Sequence, residues 1–539
     1  MNKIRADRQP SNQPSSQHSG TPPGALLAVP LVIGGIMLVP LGYLILRAFS
    51  AETAALADML LRPRTLQMLS NTVLLSAGVT LFSFCISLPL ALLTERTNLI
   101  GRRIITILGV MPLAVPGYVM AYALLGIGGN YGFAARVFGL ELSRISGLPG
   151  ALLALTLYSF PYMYLNIRAG LHTLDPGLEE SARSLGYRPF AVFRKVVMPH
   201  LRPAILSGSV IIILYTVGDF GAVALMRYEV FSYAIYNQYA NAFDRVYVSV
   251  LSLILLIIPA LVLAGEARLL RKTRLTRVGT GAARRRTRHK LSPFAQAAAV
   301  TYTTLVAAAS IGLPAVMLLF WMLQSPPSGE LLRVGQTFLR SAASAGPAAL
   351  IATLSALPIA YMHSRYPVKI SRWAEKAAYI GYAVPPLSLA LALVFFSLRI
   401  MPILYQRLPL LIIAYSINFL ALALGPLRSS LLHAPRKLEE AARSFGYTPH
   451  AAFVKAILPL LRTGMLASVV LVFVMAMKEL PLALILGPTG WTTLSMAVYT
   501  RTSEALMAQA APYAAAIVLF SSLFVGLMLR YEGDAHAPA

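Results

Sequence analysis

Long apolar runs separated by short polar connections dominate the chain. Crossing a bilayer takes about 20 mostly apolar residues. Twelve stretches meet that length: 25–46, 71–94, 104–128, 148–167, 204–226, 246–265, 294–323, 341–362, 377–398, 409–426, 464–487 and 511–529. Pro116, Pro161 and Pro385 fall inside three of them. Proline is tolerated within a membrane because neighbouring helices re-satisfy the freed backbone groups. The pattern predicts an all-α polytopic membrane protein with about twelve transmembrane helices.

Composition agrees. Of 539 residues, 57% are hydrophobic and 12% charged, against about 25% charged in an ordinary soluble domain. A soluble fold of this size has too little interior for that much apolar surface. The single cysteine, Cys85, excludes a disulfide framework and a thiolate metal site, and reads as a buried small hydrophobe. The net charge of +26 would suit a nucleic acid, but its placement points elsewhere. With the N-terminus inside, 33 of the 46 Lys and Arg lie in inside segments, 12 in outside segments, and Lys478 within a span. This follows the positive-inside rule, puts both termini in the cytoplasm and leaves no need for a nucleic-acid partner. The polar stretch 1–24 is expected to be a disordered cytoplasmic tail. The apolar run after it is too long for a signal peptide and reads as an uncleaved first span.

The chain is duplicated. LEESARSLGYRPFAVFRKVVMPHLR (178–202) and LEEAARSFGYTPHAAFVKAILPLLR (438–462) share 15 of 25 positions without a gap, at a constant offset of 260. LPLALLTER (88–96) echoes LPIAYMHSR (357–365), and AVP at 114–116 echoes 383–385, both at an offset of 269. Two six-span halves, 25–265 and 294–530, therefore lie in tandem, with a basic linker at 266–293 and a short tail at 531–539. An even number of spans per half makes the repeat parallel, not inverted. A charged loop repeats better than the apolar spans, although loops normally vary most. A repeated loop suggests a repeated partner.

Each repeated loop lies between the fourth and fifth spans of its half. Leu178, Ala182 and Leu185 recur at helical spacing, as do Leu438, Ala442 and Phe445. Gly186 or Gly446 follows, where a helix ends and the chain reverses. A second short helix is expected through Phe193 or Phe453, stopped by Pro199 or Pro459. The product is a helix–turn–helix bracket on the membrane surface, offering an acidic pair and an apolar ridge.

These residues resemble the EAA loop of ABC-importer permeases. The second copy reads Glu440-Ala441-Ala442, Gly446 and Ala456-Ile457-Leu458-Pro459; the first reads Glu180-Ser181-Ala182, Gly186 and Val196-Val197-Met198-Pro199. Ser181 and Met198 are mild departures. The resemblance implies ATPase-coupling roles for Glu179, Glu180, Ala182, Gly186 and Pro199, and for Glu439, Glu440, Ala441, Ala442, Gly446 and Pro459. It also implies a cytoplasmic ABC ATPase, expected as a homodimer, a periplasmic or external solute-binding protein, and residence in a bacterial inner membrane. No G-x-x-x-x-G-K-[ST] motif, H-E-x-x-H motif or Cys/His cluster occurs. The chain therefore reads as a non-catalytic transport subunit that binds no cofactor itself, with ATP and Mg on the partner chain.

Asp219 and Glu479 each lie 20 residues beyond a loop proline, so the fifth span of each half carries an acid at the same height. Lys478 precedes Glu479. Ionisable residues inside a membrane are functional candidates. Two readings stand: the acids cap broken helices, or they flank the translocation path with Lys478. Two carboxylates suit a cationic substrate, although no metal ligand set is evident. The stretches 218–239 and 477–491 look like fused, two-half ferric-iron permeases. Permeases for thiamine, polyamines and phosphonates share the general layout, and a proton-coupled secondary transporter is the rival in another class. Tyr228, Tyr233, Tyr236 and Tyr239 are expected in an interfacial aromatic belt, with oxygen ligation as the alternative. The ten Lys and Arg between 268 and 290 read as a tether facing anionic membrane lipid.

Overall fold

A computed structural model describes residues 24–48, 58–242, 245–271, 288–324, 330–366 and 368–535. The expected N-terminal tail and most of the basic linker lie outside the described residues. Among those described, ten helices are long and apolar enough to span a membrane, and two further pairs qualify as bent spans. All twelve expected spans are thereby accounted for.

The bent pairs are where the apolar pattern alone misleads. Arg102–Ala114 and Gly117–Leu125 meet at 92°, and Lys369–Ala383 and Pro386–Ile400 at 103°. Val115–Pro116 and Val384–Pro385 sit in the two breaks with extended backbone. Proline disfavours helical geometry in the residue before it, so both copies of the AVP echo break. Pro161 stays inside the Gly147–Thr173 helix.

The fifth spans are shorter than expected. They end at Gly218 and Lys478, and Asp219 and Glu479 adopt nearly the same extended conformation (ψ 130° and 128°). Short helices Gly221–Leu225 and Pro481–Leu486 follow. At their other end these spans are longer. The expected stops at Pro199 and Pro459 do not occur: a π-turn at Phe193–Val197 runs straight into Met198–Gly218. In the second half, a π-turn and a 3-10 turn lead from Phe453 into Arg462–Lys478. The π-turn before each proline shifts the hydrogen-bond ladder where proline has no N–H to donate, so the helix continues through it. The last helix, Met507–Ala535, also continues beyond residue 530.

The same three helices form the centre of each half. Pro63–Arg96 packs on Gly147–Thr173 and both pack on Met198–Gly218; Glu330–Arg365, Leu408–His433 and Arg462–Lys478 repeat the arrangement. The halves interlock around the bent pairs. Gly24–Ala48 and Arg245–Arg271, from the first half, lie against the bent pair of the second. Leu313–Met322 and Met507–Ala535, from the second half, lie against the bent pair of the first. Each bent pair is thus held by the outer helices of the opposite half.

One side-chain expectation changes with the fold. Cys85 is exposed rather than buried. Tyr228, Tyr233, Tyr236 and Tyr239 are partly buried and pack against the core, and the Phe231–Asn237 helix buries Phe231, Ala234 and Ile235.

Candidate functional site

A central cavity and two surface brackets hold the residues singled out from sequence. The cavity, of about 160 Å³, lies between the halves and is lined by Tyr158, Tyr215, Asp219, Tyr382, Lys478 and Glu479, among others. Both fifth-span breaks open onto it. Each acid also caps the short helix after it. Asp219 Oδ1 accepts from the Ala222 N–H at 2.9 Å, and Glu479 Oε1 accepts from the Leu482 N–H at 3.4 Å. The carbonyls of the same two residues accept from Ser232 Oγ at 2.6 Å and Ser495 Oγ at 2.7 Å. Capping and cavity-lining therefore coexist in both acids.

Polar contacts cross between the halves here. Lys478 Nζ donates to the Leu113 carbonyl at 3.3 Å, and Tyr118 Oη donates to the Lys478 carbonyl at 3.2 Å. The Tyr215 and Tyr382 hydroxyls lie 3.0 Å apart. Leu113 and Tyr382 occupy equivalent places before the two proline breaks, so each fifth span reaches the break of the opposite half. Among the described residues no cluster of three or more His, Cys, Asp or Glu could hold a metal ion.

The Phe220 ring, which also lines the cavity, lies 4.7 Å from the Tyr236 ring and 5.3 Å from the Tyr499 ring. Tyr499 also lines a second recess, together with Arg144, Arg227 and Tyr233. Phe220, Tyr236 and Tyr499 form an aromatic septum between the two spaces. Burial raises the phenol pKa of both Tyr236 and Tyr499 above its ordinary value, which disfavours phenolate ligation.

The brackets are built alike. Asp175 caps the Pro176–Ser184 helix through the Gly177 N–H; its counterpart is Arg436–Ser444. Gly186 and Gly446 end them at φ +80° and +85°, the left-handed turn for which glycine pays no steric penalty. Lys195 lies over the Tyr187 ring and Lys455 over Tyr447, at 4.5 and 4.6 Å. Leu185 and Phe445, expected in one apolar ridge with Ala182 and Ala442, are largely exposed. Ala182 is buried, and Ala442 is partly covered.

The acidic pair is split. Glu180 and Glu440 are exposed, but Glu179 and Glu439 are only 8% and 9% exposed. Arg96 Nη1 stands 2.5 Å from Glu179 Oε1, and Arg365 Nε stands 3.6 Å from Glu439 Oε2. Tyr361 Oη donates to Glu439 Oε1 at 2.6 Å. Sequence reasoning missed Arg96, Arg365 and Tyr361 as partners. A signal was present: the echoed nonapeptides 88–96 and 357–365 both end in arginine.

Comparison with known proteins agrees with this duplicated architecture. The family model described as "Binding-protein-dependent transport system inner membrane component" matches twice, over residues 87–274 and 349–532. The chain is 33% identical to the Fe(3+)-transport system permease protein FbpB 2 of Haemophilus influenzae over 513 residues, covering 95% of this chain and 99% of that one. It is 28% identical to the sulfate transport system permease protein CysT of Salmonella typhimurium over 35% of this chain and 68% of that one. With the molybdenum transport system permease protein ModB of H. influenzae it shares 33% identity over 28% of this chain and 69% of that one. The family's domain, matched once in each half, and the chain-long similarity to a ferric-iron permease make this chain a member of the binding-protein-dependent transport permeases, the inner-membrane components of ABC importers.

Proposed function

We propose that the chain is the two-half permease of an ABC importer for ferric iron, with both termini and both brackets in the cytoplasm. The observation that carries the substrate is the end-to-end match to a ferric-iron permease, against partial matches to the oxyanion permeases. The cavity's chemistry supports it: two carboxylates, several phenols and one lysine favour a hard cation over sulfate or molybdate.

In this reading an ATPase dimer, carrying ATP and Mg, docks on the exposed faces of the brackets. Glu180 and Glu440 supply charge to that contact, and Leu185 and Phe445 supply apolar surface. A solute-binding protein delivers the ion to the outer face. ATP-driven closure of the dimer moves the brackets, and the central cavity exchanges access from one side to the other. Asp219 and Glu479 flank the path in this scheme, and Lys478 sets its net charge. Uptake of labelled ferric iron, in competition with sulfate, molybdate, thiamine and a polyamine, tests the assignment. Competition by unlabelled ferric iron alone supports it, and competition by one of the others replaces the substrate. Uptake that follows a proton gradient without ATP would instead select a secondary transporter.

A further inference from the structure

The geometry points to Arg96 and Arg365 as positioning residues that latch the two coupling helices to the centres of their halves. The inference rests on the proposed ATPase coupling but concerns residues outside the EAA motif. Each arginine ends a long core helix, Pro63–Arg96 or Glu330–Arg365. Each pairs with the glutamate immediately before the motif glutamate. Arg96 and Glu179 are 83 residues apart in sequence, and Arg365 and Glu439 are 74 apart. Covalently, a coupling helix is joined only to the span before it and, through the glycine turn, to the span after it. The ion pair adds a third attachment, to a helix that packs against both.

The latch is independently built twice, with different supporting groups. In the second half Arg365 Nη2 donates to the Ala434 carbonyl at 2.9 Å, next to the start of the bracket. Arg436, in the coupling helix, donates back to the Ser364 and Arg365 carbonyls. Tyr361 holds the other oxygen of Glu439. In the first half the backbone N–H of His289 donates to the Arg96 carbonyl at 2.9 Å, and Arg183 lies 4.0 Å from Glu179 and 2.9 Å from the His289 ring. The four paired side chains are only 7–16% exposed, so solvent screens them weakly. A push on the exposed face of a coupling helix then reaches the core helix directly, rather than bending the short connection at Leu174–Asp175 or Ala434–Pro435.

The test uses the complex purified with its ATPase and reconstituted in vesicles. It compares Arg96→Gln, Arg365→Gln, Glu179→Gln and Glu439→Gln, and the swaps Arg96→Glu with Glu179→Arg and Arg365→Glu with Glu439→Arg. The readout is substrate transported per ATP hydrolysed, in complexes matched for assembly and thermal midpoint. The single variants are expected to lower that ratio about two- to thirtyfold, the span over which residues in a coupling network modulate linkage, and at least one swap to restore it. Glu375→Gln is the control. Glu375 is a similarly covered carboxylate, paired with His363 and Arg428, that does not touch a coupling helix; it is expected to lower stability and leave the ratio unchanged. An unchanged ratio in folded single variants, or an equal fall in Glu375→Gln, overturns the latch. A wild-type chain that neither binds nor stimulates the ATPase overturns the proposed function instead.

Discussion

The hydroxyls of Tyr215 and Tyr382 meet at 3.0 Å across the junction of the two halves, 167 residues apart in sequence. Tyr215 also stacks on Tyr162, with ring centroids 4.7 Å apart, so phenylalanine at 215 keeps the stack and loses the hydroxyl's hydrogen bonds to Tyr382 and Tyr162. Tyr215→Phe or Tyr382→Phe is expected to destabilise the junction by about 1 kcal/mol, and the double variant by less than the sum of the two, because the bond they share is lost only once. Denaturation midpoints of the three variants in detergent check this. Additive losses would mean that the hydroxyls act separately.

Asp219 and Glu479 have a structural role that can be separated from a role in transport. Asn and Gln keep the oxygen that caps the short helix and remove the charge; Ala removes both. Asp219→Ala is expected to cost about 1 kcal/mol of stability, the usual worth of an N-cap, while Asp219→Asn stays close to wild type. If the carboxylates also guide a cation, Asp219→Asn with Glu479→Gln lowers flux about tenfold, equivalent to about 1.4 kcal/mol. Flux and thermal midpoint measured on the same preparations decide. Wild-type flux in the charge-free pair confines both acids to capping.

Gly186 and Gly446 test whether bracket geometry matters apart from bracket contacts. A Cβ at either position meets nothing within 4 Å, so alanine adds only the left-handed backbone penalty of about 1–2 kcal/mol. The Gly186→Ala/Gly446→Ala chain is expected to insert and fold normally but to associate with the ATPase more weakly. Co-purification at matched expression checks it; undiminished association would mean that the turns tolerate alanine.

The aromatic septum makes a further prediction. Phe220→Ala removes the ring between the central cavity and the outer recess and leaves a void next to Tyr236 and Tyr499. Passive ion leak through reconstituted protein is expected to rise, at a stability cost of about 3–5 kcal/mol if the void does not collapse. A tight, unchanged baseline would place the barrier elsewhere.

The span count, the parallel duplication and the brackets were legible because each is written in local pattern: apolar length, constant offset, and a glycine at a helix end. The breaks at Pro116 and Pro385 were not, because a hydropathy window reads a straight helix and a bent one alike. Pro161 shows that proline alone does not decide the matter. Asp219 and Glu479 were found by their equal distance from the loop prolines, but their capping role depends on the chain breaking at those residues. Glu179 and Glu180 are chemically identical neighbours in sequence. Only packing against Arg96 assigns one to the interior and leaves the other on the surface.

The most direct test of the central claim is ATP-dependent uptake of labelled ferric iron in cells lacking the chain, complemented with wild type or with Glu180→Ala/Glu440→Ala. Both glutamates are exposed on the coupling helices, so their removal should spare the fold and break the proposed contact. The expected result is uptake restored by wild type and not by the double variant at equal membrane abundance. Equal restoration by both would contradict coupling through the brackets, and no restoration by wild type would contradict ferric iron as the substrate.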